Sequence, residues 1–431
     1  MKKFLILLFI FALAFSIRFA YLSANQRQIE SDECLYDSLA IKLIELKGYV
    51  GSEGVPTSNR PPLYAVFLAL VYTICGHDYF AVCLVQAFLG SLAVCFFYLI
   101  AEKIFNEPTA ILTGIFSSFY MGYVFYTNFL LTETFFSFIL AAIILIIVNI
   151  KQSNVIRFSL LGLLCGLLTL TKSSGFFVFL IAPVALWVKT KREKDFLKKI
   201  FSSSLALLLC FGLVILSWTV RNYKVHGKII PISTNGGLNM YQAVRPAYGK
   251  IPEMGPRGDS IAEKGFVISN ETERNDYFFN MALQAYREDG LARILKSFII
   301  RFLFFWGAID WNVTEGDIIN YHYVFILPFA LLGTIFSFKN RKEIFVILLV
   351  ILYFTSLILL FQGCARFRMP IDGYIIILGC YGIYELINRQ REKIYLVALV
   401  GIYFFFTYML YRHSLYIKYF IKSVMEKIGL W

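Results

Sequence analysis

Residues 4–22 read FLILLFIFALAFSIRFAYL, and residues 25–64 read NQRQIESDECLYDSLAIKLIELKGYVGSEGVPTSNRPPLY. The first stretch approaches the ~20 apolar residues that a helix needs to cross a bilayer. The second is polar and opens with two adjacent carboxylates, Asp32 and Glu33. An amphipathic run follows over 35–46, with Leu35, Leu39, Leu43 and Leu46 near helical spacing. Glycines come next, and then Arg60-Pro61-Pro62 just before apolar sequence resumes. Acids held at a membrane surface and closed off by a rigid Arg-Pro-Pro corner suggest a catalytic loop on a membrane enzyme.

The rest of the chain supports the membrane half of that reading. Of 431 residues, 58% are hydrophobic and 16% charged, and the mean hydropathy is +0.67; soluble domains carry ~25% charged residues. Apolar runs of near-spanning length recur to the end, which predicts an all-α polytopic membrane protein. The expected organisation is a single transmembrane domain over 1–431, with no separate soluble domain. A net charge of +13 follows the positive-inside rule along the chain and does not indicate nucleic acid. The eight cysteines show no zinc spacing and read as small hydrophobes, although Cys34, Cys75 and Cys364 could share one side. Residues 1–22 read as an uncleaved first helix rather than a signal peptide, despite Ala12-Leu13-Ala14. Arg18, near the far end of that run, can snorkel or face the active site.

Spans are expected near 4–22, 79–101, 108–127, 130–150, 157–172, 174–189, 200–220, 321–338, 343–361, 369–388 and 393–411. Every second connection is then basic: Lys103; Lys151 and Arg157; the run 189–199; Lys339, Arg341 and Lys342; Arg389, Arg391 and Lys393. All fall on the side of Lys2-Lys3, the cytoplasm by the positive-inside rule. The register holds only if 63–75 and 294–311 do not cross. The former is too short to span, and the latter carries Lys296 and Arg301. The result is a bundle of about 11 transmembrane helices, range ~10–13, with the N-terminus cytoplasmic. External juxtamembrane helices are expected in the first loop, 23–78, and in the long loop, 222–320.

The unusual polar residues collect on the external side. Asp32 and Glu33 lie in the first loop, with Arg60 and Tyr64 at its close. Glu133 stands at the mouth of a span in Thr132-Glu133-Thr134, and Lys172 ends another in Leu170-Thr171-Lys172. Arg221 ends Trp218-Thr-Val-Arg221, and Arg366 and Arg368 lie in Cys364-Ala-Arg366-Phe-Arg368-Met-Pro370. Each has a bland reading, as a solvated acid or a snorkelling base. Together they make one set of acids and cations at one leaflet. Arg and Lys recognise phosphate, and a carboxylate near a hydroxyl is a general base. A lipid-linked sugar phosphate meets both. No glycine-rich nucleotide loop is present, so a cytosolic nucleotide-sugar donor does not fit.

These residues resemble the GT-C superfamily of integral membrane glycosyltransferases, and within it the protein O-mannosyltransferases and bacterial lipid A aminoarabinose transferases (glycosyltransferase family 39-like). The matching features run in order over roughly 1–390. They are Ser31-Asp32-Glu33 with Tyr36 and Ala40; Asn59-Arg60-Pro61-Pro62-Leu63-Tyr64; Leu131-Thr132-Glu133; Leu170-Thr171-Lys172; Trp218 to Asn222 with Gly227 and the segment 231–239; and Arg366-Phe367-Arg368-Met369-Pro370. The aminoarabinose transferases carry an Asp where this chain has Glu133. The resemblance implies a polyprenyl-phosphate sugar donor, undecaprenyl or dolichyl, and an inverting mechanism with Asp32 as base. It makes Lys172 and Arg366 phosphate contacts, ranks Arg221 and Arg368 behind them, and has Glu133 orient the acceptor or help a metal. Some members use a divalent metal; no His/Asp/Glu cluster argues for one here, His77-Asp78 being the weak exception. It also implies a lipid, glycan or protein acceptor and a plasma (inner) membrane location with the active site external or periplasmic.

The long loop is expected to carry a helix near 276–288 and to cover the site. Asn270-Glu-Thr272 and Asn312-Val-Thr314 are glycosylation sequons. The tail, 412–431, is amphipathic and basic. The alternative class is a polytopic transporter or lipid-linked sugar flippase. Transporters place polar residues near the bilayer midplane, often with internal repeats. Here no repeat is evident and the ionisable residues cluster at one face.

Overall fold

A computed structural model describes residues 1–51, 54–191, 195–244, 260–288, 290–307, 309–310, 318–337, 343–388, 401 and 403–404. The expected span at 393–411, the tail and the Asn312 sequon lie outside them, apart from three positions in that span. Among the described residues the fold is a helical bundle with one two-residue strand pair, Ile309–Asp310 against Ile318–Ile319.

The helices follow the apolar runs closely. They are α1 (Lys2–Ala24), α2 (Asp32–Ile44), α3 (Leu63–Cys75), α4 (Tyr79–Ile104), α5 (Glu107–Phe119), α6 (Met121–Tyr126), α7 (Thr132–Val148) and α8 (Val155–Thr171). A 3-10 stretch, Ser173–Leu180, leads into α9 (Ile181–Thr190) and α10 (Phe196–His226). Then come α11 (Gly236–Val244), α12 (Ser260–Val267), α13 (Glu271–Glu288), α14 (Leu291–Trp306), α15 (Tyr321–Ser337), α16 (Ile344–Leu357) and α17 (Ala365–Asn388). Side-chain caps fix several starts. Asp78 accepts from the Phe80 amide, Asn106 from Thr109, and Asn154 from Arg157. Asp32 and Glu33 fill the first turn of α2, where negative charge complements the helix dipole.

Among the described residues, five stretches are long and apolar enough to cross a membrane: α1, α4, Ser173–Thr190, α10 and α17. Shorter apolar helices, α7, α8, α15 and α16, lie beside them. The chain is a multi-pass membrane protein. On α10 the residues Leu205, Leu209, Leu213, Leu216 and Val220 are exposed, a stripe at helical spacing that suits lipid. At the other extreme, every residue of α17 from Arg368 to Gly382 is buried. α3, at about 20 Å long, falls short of a hydrocarbon core of about 30 Å.

One expectation changes. The span at 108–127 is broken at Tyr120, whose ψ of 108° leaves the helical range. The turn lets its hydroxyl donate to Asp372 Oδ2 at 2.6 Å, inside the bundle. None of the eight cysteines is joined in a disulfide; Cys34 and Cys75 are exposed and Cys364 is buried.

The two ends of the bundle differ in chemistry. At one, Lys2 pairs with Glu107, Lys3 with Glu102, and Lys189 donates to the Val148 and Ile150 carbonyls. The N-terminus and the basic turns after α4, α7 and α9 therefore share an end, as the charge pattern requires. At the opposite end lie the N-termini of α2, α7 and α17.

Glycine sets the tightest helix contact. A Cβ on Gly333 of α15 would stand 1.9 Å from the Leu378 carbonyl oxygen of α17, and one on Gly382 would stand 2.0 Å from that of Phe329. Small residues permit this backbone approach where no hydrophobic effect drives association. Gly333→Val and Gly382→Val are each expected to lower unfolding stability in detergent by about 1–3 kcal/mol or more. Gly212→Ala, with no atom within 4 Å of its added Cβ, should be neutral or slightly stabilising. Thermal unfolding of the three variants beside wild type checks this.

Candidate active site

At the end opposite Lys2-Lys3, five segments of the chain converge. The first turn of α2 supplies Asp32, and the corner before α3 supplies Arg60. The first turn of α7 supplies Glu133, the end of α8 supplies Lys172, and the first turn of α17 supplies Arg366. Arg60 Nη2 lies 2.7 Å from Asp32 Oδ1. Arg366 Nη1 lies 3.5 Å from Asp32 Oδ2, and its Nε donates to Glu133 Oε1 at 2.6 Å. Lys172 Nζ donates to the same oxygen at 3.0 Å and sits over the Phe367 ring.

Arg366 thus links the two carboxylates. The cluster holds Arg60, Lys172 and Arg366 against Asp32 and Glu133, so three positive and two negative charges leave a net of +1. Glu133 is 0% exposed, which strengthens its pairing and makes its loss costly. The Asp32 side chain is 34% exposed, making it the carboxylate of the pair that incoming molecules can reach. Glu133 Oε2 and Arg60 Nε are buried and have no hydrogen-bond partner. They are one acceptor and one donor left open within the cluster. Tyr36, one turn beyond Asp32, packs edge-on against Tyr64 with ring centroids 5.0 Å apart. Burial pushes the Tyr36 phenol up to about 12, so this wall stays neutral.

The other expected site residues lie elsewhere. Glu33 is buried and faces away from Asp32. Its carboxylate takes Arg27 at 2.7 Å, the Glu30 amide at 3.1 Å and the Leu130 amide at 2.8 Å. It ties the first loop to the turn before α7. Neighbours on a helix point about 100° apart, so Asp32 and Glu33 cannot serve one centre. Arg221 donates to the carbonyls of Thr57 and Tyr49, both at 2.7 Å, and stacks over Trp218. Arg368 is enclosed at 1% exposure. It binds Asp372 at 2.8 Å and the Phe305 and Gly307 carbonyls at 2.8 and 2.6 Å. Tyr64 donates to Gln86 at 2.9 Å and contributes the wall through its ring.

The sequence reading missed Arg27, Ser58 and Glu271 as partners of this region. Arg27 lies in the first loop, and Glu271 sits inside the Asn270 sequon. That asparagine caps α13, accepting from the Thr272 amide at 2.9 Å. His77 and Asp78 do not form a metal pair. His77 lies 2.8 Å from Asp37, and Asp78 caps α4. Among the described residues no three His, Cys, Asp or Glu side chains gather to hold an ion. Asp32 and Glu133 are already neutralised by cations, so this donor set does not fit a divalent metal.

Residues 59–218 match the family model of the dolichyl-phosphate-mannose-protein mannosyltransferases. The oligosaccharyltransferase of Archaeoglobus fulgidus in its apo form superposes with a TM-score of 0.57 at 12% identity, over 93% of this chain and 54% of that one. The archaeal oligosaccharyltransferase AglB of the same organism, in complex with an inhibitory peptide and a dolichol-phosphate, gives 0.54 at 12% identity over 93% and 54%. ArnT from Cupriavidus metallidurans, bound to undecaprenyl phosphate, gives 0.42 at 12% identity over 88% and 78%. The chain therefore spans about half the length of the oligosaccharyltransferase whose fold it shares. No curated protein sequence matches it.

The two adjacent acids should separate cleanly on mutation. Glu33→Ala is expected to lower stability by about 1–3 kcal/mol, since it strands the buried Leu130 amide and unpairs the partly exposed Arg27. Asp32→Asn, at a half-open site, should change stability by less than about 1 kcal/mol. Unfolding in detergent measures both.

Proposed function

We propose that this chain is a membrane glycosyltransferase of the GT-C superfamily, and that it moves a sugar from a polyprenyl phosphate, undecaprenyl or dolichyl, to an acceptor hydroxyl. The transfer takes place at the external or periplasmic face of the plasma (inner) membrane, in a single transmembrane domain. Support for the face comes from the two ends of the bundle. The basic turns share the end of Lys2-Lys3, which the positive-inside rule assigns to the cytoplasm. The Asp32–Arg366 cluster occupies the other end.

The observation that carries the reading is the Arg366 bridge within a cluster of net charge +1. An excess cation beside an ordered, partly exposed carboxylate suits a substrate that is anionic on one side and hydroxylic on the other. The sugar phosphate binds with its phosphate against Lys172 and Arg366, where charge-assisted hydrogen bonds are strong. Asp32, aimed by Arg60, takes the proton of the acceptor hydroxyl. That oxygen attacks the anomeric carbon as the bond to the phosphate oxygen breaks, so the anomeric configuration inverts. The leaving group departs as polyprenyl phosphate, and its growing charge falls on cations already in place. Glu133 keeps Lys172 and Arg366 together before the donor arrives. Tyr36 and Tyr64 give the sugar an uncharged wall.

Asp32→Asn should lower transfer by about 10²- to 10⁴-fold, the range for loss of a general base, in a protein that still folds and inserts. The measurement is sugar transfer from a panel of polyprenyl-phosphate sugars to membrane acceptors, with wild type and variant side by side. Equal rates would move the base away from Asp32. Absence of transfer by a folded wild type with every donor would contradict the reading.

A further inference from the structure

The long loop after α10 reaches back to the corner that carries Arg60. Glu271, the first residue of α13, receives Thr57 Oγ1 on Oε2 at 2.6 Å and the Ser58 amide on Oε1 at 2.7 Å. His226 Nε2, at the end of α10, stands 3.1 Å from the same Oε1. Ser58 is held from further sides. Its hydroxyl donates to Asn222 Oδ1 at 2.7 Å, and its carbonyl accepts the Thr234 amide at 3.0 Å. Thr234 belongs to the same long loop as Glu271. The neighbouring Ser233 lies 3.2 Å from Ser173, next to the site cation Lys172. One loop therefore touches the residues beside two of the three site cations.

Little slack separates Ser58 from Arg60. Ser58 is fully buried. Arg60 precedes Pro61, which restricts its backbone to the extended region, and Pro61 and Pro62 each have φ fixed near −65°. Tyr49 donates to the carbonyls of Arg60 and Pro61 at 3.1 and 3.2 Å, and the Tyr49 carbonyl is itself held by Arg221. The amide of Asn59, the joint in between, donates to Thr57 Oγ1 at 3.1 Å. That hydroxyl is the one Glu271 binds, so both anchors of the corner meet at one carboxylate.

We propose that Glu271 is a positioning residue that acts through the Thr57–Ser58–Asn59 segment to hold Arg60 on Asp32, making docking of the long loop a condition of transfer. The inference rests on the reading of Asp32 as the base. Undocked, the loop leaves Ser58 without two of its backbone contacts, and Arg60 is free to swing from the carboxylate. Docked, Glu271 and Thr234 hold Ser58 in place and keep Arg60 against the base.

The test is a double-mutant cycle with Glu271→Gln and Arg60→Lys, read as kcat and KM for a polyprenyl-phosphate sugar donor, together with amide hydrogen exchange over 57–62. Glu271→Gln keeps the size of the side chain but replaces one acceptor oxygen with an amide group. It is expected to lower kcat about 10- to 100-fold, the scale of a small misplacement of a catalytic group, with donor KM changed less than about threefold. In the Arg60→Lys background the same change should cost less than about twofold, because residues that act through one another are non-additive. Exchange at Ser58 and Asn59 should accelerate at least about tenfold in Glu271→Gln, while α4 and α7 stay protected. Losses that multiply across the two backgrounds, or exchange unchanged at Ser58, would overturn the proposal. If wild type transfers from no donor, the glycosyl-transfer reading fails instead, and the exchange result alone decides whether Glu271 holds the corner.

Discussion

Arg366 reaches two carboxylates from two different helices, and the arrangement of the bundle follows from that bridge. Its Nε takes Glu133 and its Nη1 lies near Asp32. The contact requires the N-termini of α2, α7 and α17 to meet at one end of the molecule. A buried carboxylate such as Glu133 is tolerable only when its charge is matched, and Lys172 and Arg366 match it. The match is deliberately incomplete for the whole cluster. One extra positive charge remains near the accessible acid, and a bound phosphate would settle it.

Helical periodicity decides which members of each charged motif take part. Asp32 and Glu33 are neighbours in sequence, and so nearly are Arg366 and Arg368. Residues one apart on a helix point about 100° apart, and residues two apart about 200°. One of each pair therefore faces the site and the other faces the frame. Glu33 pins the first loop to the turn before α7 through Arg27 and two amides. Arg368 pins α17 to the end of α14 through two carbonyls and Asp372. Glu33 and Arg368 are more enclosed than Asp32 and Arg366, as expected for charges whose partners are permanent.

Much of the fold was legible because apolar runs and their basic connections are one-dimensional signals. The helix at 63–75, the amphipathic helix after Asp32 and the helix near 276–288 all follow from periodicity and length, and α13 simply begins earlier, at its Asn270 cap. The break at Tyr120 was not legible, since a tyrosine in an apolar run carries no turn signal; its cause is a partner, Asp372, some 250 residues away. The site was legible as a set of residue types at one leaflet. Its division into cluster and frame was not, because that depends on which face of each helix meets a neighbour. Glu271 was hidden for a related reason: it reaches Ser58 across 213 residues of sequence.

The central claim is that the Lys172–Arg366–Asp32 cluster receives a polyprenyl phosphate. It is tested most directly by an experimental structure of the wild-type protein with undecaprenyl phosphate bound. The account predicts phosphate oxygens within about 3 Å of Lys172 Nζ and of the Arg366 guanidinium, with Asp32 facing the open side of the phosphate. A phosphate seated at the opposite end, beside Lys3 and Lys103, with the cluster unchanged, would contradict it.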